Sequence, residues 1–124
     1  MSPAAARPFV HLELHTQNMA RACAFYTGLL GWRAETVHSG SSSYVALATG
    51  GVVEAGVVES DAPEPLWIPY VAVADVYAAV ERAEQLGATV PVAPREGPAG
   101  WWGAVRGPER SPLGLWTPKG SAGS

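Results

Sequence analysis

Residues 9–32, FVHLELHTQNMARACAFYTGLLGW, contain one strand followed by one helix. Apolar and polar side chains alternate over residues 10–15 of the predicted strand 9–15, which is the period of a strand whose two faces have different surroundings. Either Thr16 or Asn18 can cap a helix in which apolar residues then recur at helical spacing, and Gly31 can end it. The stretch therefore predicts a strand and an amphipathic helix that pack together.

The same order of elements occurs a second time in the chain. Residues 67–73 predict a strand, Asp75 can cap a second helix, and Gly87 can end it. The caps Asn18 and Asp75 are 57 residues apart, and the glycines at the ends of the two helices are 56 apart. A period near half the chain, carrying the same elements, predicts an internal structural repeat.

The remaining strand candidates complete the two repeats. We predict an α+β domain over residues 8–118, with two βαβββ repeats at about 8–60 and 66–118 and flexible ends at 1–7 and 119–124. The further predicted strands are residues 32–37, 44–48, 52–58, 89–93, 101–106 and 113–117, with a loop at 94–100.

Composition excludes several classes of protein. Hydrophobic residues make up 48% of the 124 residues and charged residues 15%, which is typical of a globular domain. The net charge is −3 with only eight lysines and arginines, so no basic face for nucleic acid is expected. The single cysteine, Cys23, lies on the apolar stripe of the first helix and favours core packing. With no signal peptide or membrane span in the sequence, we expect a cytoplasmic protein.

Residues 9–32 and 68–90 resemble the glyoxalase, bleomycin-resistance and dioxygenase superfamily, also called vicinal oxygen chelate, and the layout of that family fits residues 9–118. The resemblance implies paired βαβββ modules that form a cupped half-barrel. It also implies a homodimer, with the ligand cup either within one chain or across the dimer.

The resemblance further implies four metal-ligand positions, one on each of four strands. His11 matches the first position. The second falls on Gly56, or on Glu54 with a shift of the alignment. The third falls near Pro69 and the fourth near Gly114, and neither side chain can bind a metal. A catalytic divalent site generally needs three protein ligands, so we expect no metal and no cofactor.

Three polar residues, His11, Glu13 and His15, alternate along the first predicted strand. Side chains four residues apart on a straight strand are roughly 13 Å apart, so the two histidines cannot hold one metal. The resemblance directs this row into the cup, where it can form hydrogen bonds or transfer protons. The alternative is a solvated outer face of the strand, and no catalytic residue is assigned.

Five tryptophans suggest an aromatic wall for a ligand. We interpret Trp32 as structural, and alternation sends Trp101 and Trp102 to opposite faces of their strand, so that one faces the cup. Core filling or dimer packing is the alternative for each. The expected ligand-binding residues are His11, Glu13, His15, Tyr44, Glu54, Trp67, Trp101, Trp102 and Trp116.

Three hypotheses of function follow. The first is a bleomycin-resistance type of protein that sequesters a bulky aromatic natural product or antibiotic. The second is a metal-independent cyclase, isomerase or hydrolase that uses His11, Glu13 or His15 as acid or base. The third is a metal-dependent lyase or dioxygenase, which Pro69 and Gly114 disfavour.

Overall fold

A computed structural model describes residues 7–39, 42–61, 63–97 and 99–119. The described residues form two compact units, one from those within Val10–Pro69 and the other from those before Val10 and after Pro69. Most residues of the predicted flexible ends lie outside the described ranges. The elements are β1 (Phe9–Thr16), α1 (Met19–Leu30), β2 (Arg33–Ser39), β3 (Ser42–Ala48), β4 (Glu54–Glu59), β5 (Leu66–Ala72), α2 (Val76–Gln85), β6 (Thr89–Glu96), β7 (Gly100–Arg106) and β8 (Pro112–Pro118).

Both predicted helices begin and end where their signals stand. Asn18, rather than Thr16, caps α1, because its side chain accepts a hydrogen bond from the Arg21 backbone N–H at 3.0 Å. Gly31 ends α1 with a φ of 71°, a left-handed conformation that glycine adopts at little cost. Asp75 caps α2 by accepting from two backbone N–H groups of the first turn.

One strand differs from its prediction. Strand β6 continues to Glu96 instead of ending at residue 93, so the first three residues of the loop predicted at 94–100 are strand, and β7 begins at its last residue. Proline at position 94 suggested a loop, but β6 ends the sheet of its unit, where a proline costs fewer ladder hydrogen bonds. Arg95 pairs with Trp102 and Glu96 with Trp101 on β7, with register shifts before them.

The first unit has a four-stranded sheet with α1 on one face. The order is β2-β3-β4-β1, with β1 parallel to β4 and the other pairs antiparallel. Its buried core consists of Leu14, Val45, Leu47, Ala55 and Val57, against which residues of α1 pack. Because side chains alternate along each strand, the opposite face of this sheet carries the other set of residues.

The second unit repeats this arrangement in the order β5-β8-β7-β6, with β5 parallel to β8. Its core consists of Val76 and Val80 of α2 with Val105 and Leu115 of the sheet. No helix in the described ranges is long and apolar enough to span a membrane.

Candidate functional site

The predicted row of His11, Glu13 and His15 lies on the face of β1 that points away from α1. The intervening Leu14 is only 2% exposed and belongs to the core beneath the helix. The three polar side chains are partly exposed, by 29%, 22% and 24% respectively. A small molecule can therefore reach a row that the sheet holds in a fixed order.

The Glu13 carboxylate lies between the two imidazoles. Glu13 Oε1 is 2.8 Å from His15 Nε2, and Glu13 Oε2 is 3.4 Å from His11 Nε2. Both contacts are hydrogen bonds, and the one with His11 is the longer and weaker of the two. One carboxylate thus orients both histidines, which sequence spacing alone could not show.

Electrostatics keep Glu13 ionised at neutral pH. Burial alone would raise the pKa of the Glu13 carboxyl. Hydrogen bonds with His11 and His15, and the charges of these imidazoles, outweigh burial and lower the pKa to about 2 from 4.5. Since an ionised carboxylate only accepts hydrogen bonds, the Nε2 atom of each imidazole donates. In the neutral ring this tautomer leaves the lone pair on Nδ1, which is the atom that can take a proton.

Gly56 provides space for the imidazole of His11. A Cβ atom at position 56 would lie 3.3 Å from His11 Cε1, 3.4 Å from His11 Nε2 and 3.7 Å from Tyr44 Cδ2. Tyr44 therefore borders the same place, on the face predicted for it. Gly56 also pairs with Glu13 between β1 and β4, so the hydrogen on its Cα faces the polar row.

The first two metal-ligand positions do not form a metal site. His11 Nε2 faces the Glu13 carboxylate, and Gly56 has no donor. Glu54 pairs with His11 between the strands and lies on the same face, but it is exposed at the start of β4. Even the shifted alignment brings only one further carboxylate near the row.

The other two positions also lack donors. A Cβ atom at Gly114 would overlap the ring of Tyr70, its partner on β5, so an aromatic ring fills the place of a ligand. The side chains of Pro69 and Tyr70 point to opposite faces of β5, because they are adjacent on the strand. In the 57-residue repeat, the residue that corresponds to His11 is Ile68. The third position therefore moves from Pro69 to Ile68, which is equally unable to bind a metal.

The residues present do not fit the family's metal. Within the described ranges, no group of three or more His, Cys, Asp or Glu side chains is arranged to hold one. The donors at three of the four positions are replaced by glycine or an apolar residue, and we derive no chemical step through a metal.

In the first unit, the aromatic residues near α1 serve packing. Trp67 packs against the core, and its Nε1 donates a hydrogen bond to the Tyr26 hydroxyl at 3.0 Å. Trp32 stacks on Tyr26 with ring centroids 6.1 Å apart, in agreement with its interpretation as structural. Trp67 thus packs on the same side as α1 and not on the polar face predicted for it. Cys23 also packs against this core, and burial raises the pKa of its thiol.

In the second unit, two tryptophans lie on the face away from α2. Trp102 pairs with Trp116 between β7 and β8, and the Arg95 guanidinium lies 5.1 Å from the Trp102 ring centroid. Trp101 projects to the other face, where it packs against the core around α2. The alternation of Trp101 and Trp102 is as predicted, and Trp101, like Trp67, fills a core.

A groove on the polar face of the first unit had no counterpart in the sequence analysis. Its volume is about 440 Å³. Pairing across three strands brings its walls together from distant parts of the sequence, which only the sheet register reveals. The lining residues are Arg33, Ala34, Glu35, Ala46, Leu47, Ala48 and Glu54.

Comparison with known proteins first defines the fold. Methylmalonyl-CoA epimerase from Mycobacterium tuberculosis superimposes with a TM-score of 0.64 at 17% identity, over 93% of this chain and 90% of that chain. A hypothetical protein from Bacillus halodurans gives a TM-score of 0.71 at 13% identity, over 93% and 96%. A mutant 4-hydroxymandelate synthase from Streptomyces coelicolor gives 0.67 at 19% identity, over 91% and 39%. At these identities the likeness concerns the fold alone, and it confirms the predicted α+β class.

The family follows from the sequence. Residues 9–112 match the model of the Glyoxalase/Bleomycin resistance protein/Dioxygenase superfamily, and the chain belongs to that superfamily. A protein provisionally named glyoxylase CFP32, in Mycobacterium tuberculosis and Mycobacterium bovis, is 31% identical over 113 residues, which cover 85% of this chain. This chain spans 43% of the length of that relative.

Proposed function

We propose that the protein is a metal-independent enzyme that moves a proton on a small organic substrate at the polar face of the first unit. The observation that carries the proposal is the ionised carboxylate of Glu13 between the imidazoles of His11 and His15. This arrangement does what a carboxylate does beside a catalytic histidine: it selects the tautomer and stabilises the imidazolium that forms. The reaction classes that it suits are isomerisation, cyclisation and hydrolysis.

The proton transfer can be written on the side chains of this row. Nδ1 of one imidazole takes a proton from a carbon next to a carbonyl group, and the electron pair of the C–H bond moves onto the carbonyl oxygen. Glu13 stabilises the resulting imidazolium. The imidazolium then returns the proton to the same carbon or a neighbouring one, which regenerates the enzyme. A methylmalonyl-CoA epimerase of similar fold has been solved in complex with methylmalonyl-CoA, so this fold holds an acyl thioester in at least one protein.

The test is hydrogen exchange on candidate substrates. Small α-hydroxyketones, α-ketoacids and thioesters are incubated with the protein in D₂O, and NMR follows the loss of each C–H signal. We expect exchange with at least one class, and a fall of about 10²- to 10⁴-fold when the acting histidine is replaced in His11→Gln or His15→Gln. The matched control is His38→Gln, an exposed histidine of β2 outside the row, which should retain the wild-type rate. Exchange that survives the double substitution of His11 and His15 would contradict the proposal.

A second candidate function is sequestration of a flat aromatic natural product or antibiotic, as in bleomycin-resistance proteins. The observation that favours it is the pair of Trp102 and Trp116 on the face away from α2, with Arg95 beside them. Aromatic rings attract flat or cationic ligands by stacking. Titration with bleomycin and with planar aromatic antibiotics, followed by tryptophan fluorescence, tests this function. Tight binding without exchange on any carbonyl compound would favour sequestration over the enzyme.

A further inference from the structure

The groove of the first unit adjoins the histidine row, because its lining residue Glu54 pairs with His11. Across the sheet, Glu35 on β2 pairs with Ala46 on β3, Ala46 pairs with Gly56 on β4, and Gly56 pairs with Glu13 on β1. Neighbouring strands are about 4.8 Å apart, so this line runs roughly 14 Å from Glu35 to Glu13. Its two middle residues are alanine and glycine. The small side chain of Ala46 leaves a trough, which ends at the His11 imidazole over Gly56.

The adjoining lines of residues define the trough. Arg33 pairs with Ala48, so a second small residue lies beside Ala46 on this face. On the other side, Tyr44 pairs with Val37 and closes the trough with larger side chains. A ligand lying here has one direction to follow, from β2 towards His11 and Glu13.

Charges of both signs line the groove, with Arg33 and Glu35 on β2 and Glu54 on β4 beside His11. Arg33 is the one cation among its lining residues, and Glu35 and Glu54 are its two carboxylates. All three side chains are exposed, and none takes part in the ion pairs found between described residues. The groove therefore presents one positive and two negative groups that internal ion pairs do not neutralise.

We infer that this groove binds a zwitterionic head group, an ammonium and a carboxylate on one carbon skeleton, as in an α-amino acid. The guanidinium of Arg33 matches a carboxylate in two parallel hydrogen bonds. An ammonium between Glu35 and Glu54 offsets one of their two negative charges. A simple anion would meet two carboxylates and a simple cation would meet the guanidinium, so the mixed charge discriminates against both.

This inference rests on the proposed function, because the molecule with this head group would be the substrate of the same site. With its carboxylate on Arg33, a substrate extends over Ala46, and its far end reaches the imidazole of His11, which itself lies over Gly56. The reacting carbon must therefore lie several bonds from the head group, in the side chain of an amino-acid-like molecule.

Three probes that differ only in charge test the inference: L-phenylalanine, 3-phenylpropionate and 2-phenylethylamine. Each is titrated into the ¹⁵N-labelled full chain at equal ionic strength, and amide shifts are followed by NMR. We expect phenylalanine to move the amides of Ala46, Ala48 and Glu54 with a Kd on the order of 1–10 mM, the range for so small a ligand. The anion and the amine should bind about fivefold more weakly, because each loses one exposed ion pair.

Variants separate the two halves of the head group. Arg33→Gln should weaken the binding of phenylalanine about fivefold and leave the binding of the amine unchanged or tighter. The double substitution Glu35→Gln and Glu54→Gln should also weaken the binding of phenylalanine, and should leave the binding of the anion unchanged or tighter. Arg21→Gln on the exposed surface of α1 is the control and should change nothing. Equal binding of all three probes, amide shifts elsewhere in the chain, or equal phenylalanine binding by Arg33→Gln would overturn the inference. This titration requires no reaction, so its outcome is independent of the proposed function. The proposed function fails separately, if the protein catalyses no hydrogen exchange on the candidate substrates.

Discussion

The imidazole of His11 lies over Gly56, close enough that a single methyl group on the glycine would be 3.3 Å from the ring. From this position His11 Nε2 lies 3.4 Å from Glu13 Oε2. Residue 56 thus sets the space available to His11 without carrying a functional group of its own.

Gly56→Ala should disturb the row while leaving the fold intact. The added methyl must displace His11 by a few tenths of an ångström, because 3.3–3.4 Å is tighter than ordinary van der Waals contact. Displacement of a catalytic group by 1 Å can cost about 100-fold, so we expect a loss of roughly 3- to 10-fold in the C–H exchange rate. The histidine ring signals in NMR spectra report the displacement directly.

Gly28→Ala is the matched control for that substitution. Gly28 lies in α1, and a Cβ atom there would contact nothing within 4 Å. Replacing a helical glycine by alanine should stabilise the protein by about 0.5–1 kcal/mol, measured by urea denaturation, and should not change exchange. Equal exchange rates in the two glycine variants would show that His11 tolerates the extra methyl group.

The low pKa of Glu13 predicts how stability depends on pH. A carboxyl group with a folded-state pKa of about 2 and a reference value of 4.5 contributes stability above pH 4.5. That contribution is lost as the pH falls from 4.5 towards 2. Glu13→Gln should therefore cost roughly 1–3 kcal/mol at pH 7, and the difference from wild type should shrink over this range. Denaturation from pH 7 to pH 2.5 measures it, with Glu59→Gln as a baseline, and a difference that stays constant contradicts it.

Local signals predicted the elements because their causes are local. Asn18 and Gly31 fix the ends of α1 through their own hydrogen bond and backbone angle. Alternation likewise placed His11 and His15 on one face of β1. These features depend on a few consecutive residues and need no knowledge of the sheet.

The remaining features depend on partners that are distant in the sequence. Alternation separates Trp101 from Trp102, but only the helix packed on the sheet determines which of them is in the core. The groove beside Arg33 depends on the register of three strands, which bring Ala46 and Gly56 side by side. Periodicity carries no information about such register, and the sequence analysis therefore missed the groove.

The residues at the four metal-ligand positions predict the metal content of the purified protein. With Gly56, Gly114 and Ile68 at three of the four positions, purified protein should contain no stoichiometric divalent metal. A chelator should leave the melting temperature unchanged, because no ion would be removed from the folded state. Elemental analysis that finds about one zinc, nickel, iron or manganese per chain would contradict this prediction.

The edges of the two sheets predict self-association. In the described sheets, β2 pairs only with β3 and β6 pairs only with β7, so each presents unpaired backbone groups. A homodimer with two equivalent sites would cover such edges, as the family resemblance also implies. Light scattering at micromolar concentration should give twice the mass of one chain, and the mass of a single chain would argue against the dimer.

The two neighbouring tryptophans of β7 should respond differently to substitution. Trp101 packs against the core around α2, so Trp101→Ala should lower the free energy of unfolding by about 2–4 kcal/mol. Trp102 lies on the opposite face beside Trp116 and Arg95, so Trp102→Ala should cost less stability.

If the second unit stacks on an aromatic ligand, Trp102→Ala should weaken binding about 5- to 150-fold, while Trp101→Ala binds normally wherever it remains folded. Urea denaturation and a fluorescence titration of both variants separate the two roles. A greater loss of stability in Trp102→Ala would reverse the assignment of the two faces.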